Sequence, residues 1–95
     1  MLALSHSAIW AAIDALAARF EMTPSALARK AGLDPTSFNP SKRVSARRRP
    51  RWPSTESLAK VLDATGVSFR QFAELVEAAC APPRHGAERP RRRED

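Results

Sequence analysis

The chain has 95 residues, room for one small domain with a single core and too few for two. It is 43% hydrophobic but only 6% aromatic, so alanine supplies much of the apolar count and helix packing is favoured over a sheet. The net charge of +6 favours an anionic partner, and a lone cysteine excludes an internal disulfide framework. No apolar run approaches the roughly 18 residues of a membrane span, and the N-terminus lacks the charged start and long apolar stretch of a signal peptide. A soluble cytoplasmic protein is expected.

The hydrophobic periodicity predicts five short helices. Ser5 or Ser7 caps helix 1, whose buried stripe is Ile9, Ala12, Ile13, Leu16 and Phe20, and Glu21-Met22 ends it. Thr23 caps helix 2 with Pro24 at the first helical position, and Gly32 stops it just past Ala31. Asp34-Pro35 repeats the cap-plus-proline start and predicts helix 3. Pro40 restricts Asn39 to extended backbone and removes a donor, so helix 3 should be short, kinked, or rebuilt as a second turn from Pro40. An irregular basic loop is expected from Ser41 to Pro53, anchored by Val44 and Trp52, with Trp52 read as a core plug that fixes the loop's exit and a base-stacking platform as the alternative. Ser54 or Thr55 caps helix 4, which buries Leu58, Val61 and Leu62 and ends at Gly66. Ser68 and Gln71 form a capping box for helix 5, striped by Phe69, Phe72, Ala73 and Val76. Residues 5–80 thus read as one domain, and the proline- and arginine-rich residues 81–95 as a disordered tail.

Helices 2 and 3 carry the chemistry. Ala28, Ala31 and Gly32 are small where two helices would cross, and Leu27, Leu33 and Phe38 are placed to close a core beneath them. That is the pattern of a helix-turn-helix, whose second helix reads DNA base edges. Of the 16 basic residues, six lie between Lys42 and Arg51 and five between Arg84 and Arg93. The stretch between those blocks sets Glu56, Asp63, Glu74 and Glu77 against only Lys60 and Arg70, so a basic face is segregated, as in polyanion binders. His6, His85 and Cys80 are dispersed, so no metal or cofactor is expected. Asp14, Asp34 and Glu56 form no evident acid–base pair, which argues against an enzyme.

The arrangement resembles the lambda-repressor/Cro-like (Xre-type) helix-turn-helix domains over roughly residues 7–79, with Leu27, Ala28, Gly32, Leu33 and Phe38 at that family's spaced positions. The strings Asp34-Pro35-Thr36-Ser37-Phe38-Asn39, Ser41-Lys42-Arg43 and Arg51-Trp52-Pro53-Ser54-Thr55-Glu56-Ser57 are similar, more narrowly, to the N-terminal domain of phage and bacterial repressors that carry a LexA-like serine peptidase. The resemblance implies an all-α, compact five-helix bundle. Carried over by position, Thr36, Ser37 and Asn39 face the major groove, Asn39 as a bidentate adenine contact. Lys42 and Arg43 reach guanine or adjoining phosphates. Ser25, Arg29 and Ser41 meet the DNA backbone, and Arg47, Arg48, Arg49 and Arg51 meet phosphates or a narrow minor groove. Trp10 either packs on helix 5 or joins Leu75, Ala79 and Cys80 in a dimer face.

The expected function is a sequence-specific double-stranded DNA-binding transcriptional regulator, a repressor of the bacterial cytoplasm and nucleoid, bound as a homodimer. Contact between Glu74 or Glu77 and RNA polymerase would make it an activator instead. The alternatives are an antitoxin-like protein-interaction adaptor and a nucleoid or RNA-binding protein without sequence preference.

Overall fold

Local capping chemistry sets nearly every element boundary. In a computed structural model, which describes residues 4–80, α1 spans His6–Arg19 and α2 Pro24–Lys30. A 3-10 turn at Pro40–Lys42 follows, then α3 over Thr55–Thr65 and α4 over Phe69–Cys80. Ser5 Oγ, Thr23 Oγ1 and Ser54 Oγ accept the amides of Ala8, Ala26 and Ser57 at 3.1, 3.1 and 3.0 Å. At α4 the Ser68 amide donates to Gln71 Oε1 at 2.9 Å and the Gln71 amide to Ser68 Oγ at 3.1 Å, closing the capping box.

The ends of α1, α2 and α3 share one geometry. The amides of Met22, Leu33 and Val67 reach back to the carbonyls of Ala17, Ala28 and Leu62 at 2.8, 2.9 and 3.0 Å across a left-handed residue. That residue is Gly32 (φ 77°) after α2 and Gly66 (φ 70°) after α3, but Glu21 (φ 58°) after α1.

The core is aliphatic and aromatic, with no buried polar side chain among the described residues. Ile13, Leu16, Leu27, Phe38 and Val61 are its largest fully buried members, each contributing about 1.5–3 kcal/mol by leaving water. α1 is the centre: it packs most extensively on α4 and also on α2, which in turn touches α3. Leu58 and Leu75 flank this core.

Two expectations are corrected. The described residues form four α-helices, not five, because the segment expected as helix 3 is a chain of tight turns. Ser37 N–H bonds Asp34 O (2.9 Å), Asn39 N–H bonds Thr36 O (3.1 Å), and Lys42 N–H bonds Asn39 O (2.8 Å), each three residues back. An α-helix begun at Pro35 would reach Pro40 after barely one turn; Pro40 has no amide to continue it and its ring would strike the Thr36 carbonyl. Asn39 is accordingly extended (φ −65°, ψ 146°). Second, Trp52 does not plug the core: it is 55% exposed, and Trp10 and Phe38, at 5% and 1%, fill the space beneath it. The disorder expected for residues 81–95 lies outside the described residues. Among the described residues no helix is long and apolar enough to cross a membrane.

Candidate nucleic-acid interface

The basic segment is an ordered hairpin, not an irregular loop. Val44 and Pro50 form an isolated antiparallel bridge, and Arg51 N–H donates to Arg43 O at 2.9 Å. The tip closes through Ser45 N–H to Arg49 O and Arg48 N–H to Ser45 O, both 2.8 Å. Ser45 Oγ also accepts from the amides of Arg47 (3.3 Å) and Arg49 (3.1 Å). A three-residue loop of this kind needs a left-handed residue, and Arg48 takes that place at φ 63°. A non-glycine residue there stores strain of about 1 kcal/mol.

The root of the hairpin is fastened to α1. Arg43 Nη1 and Nη2 meet the Asp14 carboxylate oxygens at 2.9 and 2.7 Å, a bidentate pair. Nε and Nη2 of Arg43 donate to Phe38 O at 3.2 and 2.7 Å, and its Cζ stands 4.7 Å from the centre of the Trp10 ring. On the other strand, Trp10 Nε1–H donates to Arg51 O at 2.9 Å. His6 Nε2 lies 2.7 Å from Arg43 O, 3.0 Å from Arg51 O and 3.0 Å from Trp10 Nε1, so the ring sits between both strands of the hairpin root and α1.

This geometry redistributes the expected site residues. Arg47, Arg48, Arg49 and Arg51 are exposed, and among the described residues none of them is in an ion pair. Lys42 and Ser41 are exposed on the 3-10 turn, and Ser37 and Asn39 are half-buried on the preceding turns. Thr36 is exposed, but its hydroxyl donates to Asp34 Oδ1 at 2.6 Å while its amide bonds the same oxygen at 2.8 Å. Those two bonds, hydroxyl first and amide second, hold the Asp34 carboxyl below its ordinary value, and Lys42 adds to the effect. Ser25 is half-buried and Arg29 exposed, both on α2.

Arg43 is corrected from a base contact to a structural tether, since its internal bonds take up nearly all of its donors and its side chain is only 14% exposed. Trp10 is likewise removed from the dimer face, because it is buried against Phe38 and the hairpin root. Leu75 and Cys80 are half-buried and Ala79 exposed at the far end of α4.

The tethering residues His6, Trp10 and Asp14 carry roles that composition did not reveal. A signal was present: they recur every four positions along α1, a polar-aromatic stripe beside the apolar one.

Between the turns and the segment after the hairpin lies a polar cleft of about 220 Å³. Ser37 and Lys42 from the turns and Arg51, Trp52, Ser54 and Ser57 from the later segment line it, together with the buried Trp10 and Phe38. The turns that carry Ser37 and Lys42 and the basic hairpin therefore share a border. Among the described residues no three His, Cys, Asp or Glu side chains converge as a metal site would require.

No protein-family model matches the chain, and no curated protein or solved structure is significantly similar to it.

Proposed function

We propose that the chain is a sequence-specific double-stranded DNA-binding module of the lambda-repressor/Cro-like kind, acting without catalysis as a transcriptional repressor in the bacterial cytoplasm. The observation that carries this reading is the arginine-tipped hairpin, held rigidly to α1 by the Arg43–Asp14 pair and bordering the polar turns of residues 36–42. Unpaired arginines on a fixed support attract phosphates without a large ordering cost. Ser37, Asn39 and Lys42 would then supply the base contacts, from tight turns in place of a recognition helix. Repression follows from occupying an operator. Pairing of two copies through Leu75, Ala79 and Cys80 would present two such surfaces to a two-fold site.

A second reading, sequence-independent binding, is favoured by one observation: turns offer fewer side chains to a major groove than a helix does, and no α-helix spans 34–39.

The test is the salt dependence of duplex binding, followed by fluorescence anisotropy for wild type and the triple variant R47A/R48A/R49A. Each phosphate contact contributes about −0.9 to the slope of log K against log salt, so the triple variant should flatten the slope by about 2–3. An unchanged slope contradicts the proposed role of the hairpin tip.

A further inference from the structure

Trp52 is exposed and yet held in place. The edge of the His6 ring meets it at 5.8 Å between centroids and 75° between planes. The carbonyl of Arg51, immediately before it, accepts from Trp10, and Pro53, immediately after it, confines its backbone to extended geometry. An indole left 55% in water while its backbone is so constrained is a surface prepared for a partner. What surrounds it states the chemistry of that partner. Lys42 and Arg51 place cations along the same cleft, and Ser37 adds a hydroxyl. Among the described residues no carboxylate lines it.

We propose that this cleft binds a nucleotide with its base stacked on Trp52 and its phosphate against Lys42 and Arg51, the nucleotide belonging to a single-stranded nucleic acid. At about 220 Å³ the cleft falls short of the roughly 300–1,000 Å³ of drug-sized ligand sites, which suits one ring system. A base in an intact duplex is stacked on both faces and unavailable to an indole, whereas every base of a single strand offers a π-face to an aromatic platform beside a cationic track. The inference rests on the nucleic-acid reading above and shares Ser37 and Lys42 with it; Trp52 belongs to the cleft alone, which is why the test varies that residue. A mononucleotide free in solution has the same chemistry and is the alternative source.

The experiment titrates three probes separately: a labelled thymidine octamer, thymidine monophosphate, and a labelled random-sequence duplex. The proteins are wild type, Trp52→Ala and Trp52→Phe. Wild type is expected to bind the octamer, Trp52→Ala to bind it about tenfold or more weakly, and Trp52→Phe to recover part of the loss. Duplex affinity should stay within about twofold in both variants. Binding of the octamer well above the monophosphate supports the strand as the source. A monophosphate that binds as tightly as the octamer, with the same dependence on Trp52, overturns the strand and supports the free nucleotide. Octamer and monophosphate affinities unchanged in Trp52→Ala, or absent in wild type, overturn the cleft. A duplex that fails to bind while the octamer binds contradicts the regulator reading alone.

Discussion

Arg43 and Asp14, 29 positions apart, meet through both guanidinium Nη atoms at 2.9 and 2.7 Å and fix the arginine hairpin to the first helix. Removing the guanidinium frees the Phe38 carbonyl and uncovers Trp10 as well as breaking the ion pair. Arg43→Ala should therefore cost about 2–3 kcal/mol in urea unfolding. Asp14→Asn, at a half-exposed carboxylate, should cost about 1 kcal/mol. Arg43→Lys should rescue little, because an ammonium cannot span two carboxylate oxygens and a carbonyl in one plane. Both alanine and lysine variants should weaken duplex binding by loosening the hairpin root.

Arg48 separates backbone strain from charge. Arg48→Gly relieves a left-handed conformation that an L side chain disfavours, so stability should rise by about 0.5–1 kcal/mol while DNA affinity falls. Arg48→Ala keeps the strain and loses the charge, so it should match the affinity loss without the stability gain. Equal affinity in all three proteins would remove Arg48 from the interface.

The helix ends give a paired stability prediction. No atom lies within 4 Å of a Cβ built on Gly32, so Gly32→Ala suffers conformational strain alone, about 1 kcal/mol. Glu21→Gly reverses the situation at φ 58° and should stabilise by about 0.5–1 kcal/mol. Thermal unfolding of the two variants checks both signs.

Those helix ends were legible in the sequence because caps are local chemistry. Ser5, Thr23-Pro24, Gly32, Ser54, Gly66 and the Ser68–Gln71 box all act within four residues of one another or of the helix they bound. The 34–42 segment was harder, since Asp34-Pro35 signals a helix start and does order Thr36, yet Pro40 prevents the helix from extending. The anchoring of the hairpin could not be read from its own residues, although Ser45 closes its tip locally. Its order comes from His6, Trp10 and Asp14, more than 25 positions upstream, and its arginines look the same in a solvated loop. Trp52 was misjudged for a related reason: Trp10 already occupies the place a second tryptophan would have filled.

Asp34 gives the pH dependence of the first turn. Its carboxyl lies below the ordinary aspartate value of 3.8 because the charged form accepts two bonds from Thr36. A lowered folded value means the turn is favoured in full above 3.8 and loses that support as pH falls through the folded value. Side-chain titration by NMR should find Asp34 below the ordinary carboxylate value, and Thr36→Val should move it back up. No movement in Thr36→Val would contradict the assigned cause.

Sequence-specific reading of duplex DNA by the 36–42 turns is tested most directly by selection from random duplexes at physiological salt, with wild type and Asn39→Ala in parallel. The expected result is an enriched motif for wild type in which Asn39→Ala loses preference at one position, an adenine if the contact is bidentate. Binding that enriches no motif, or a motif identical in both proteins, would contradict the assignment of Asn39 and leave a protein held to nucleic acid by its arginines alone.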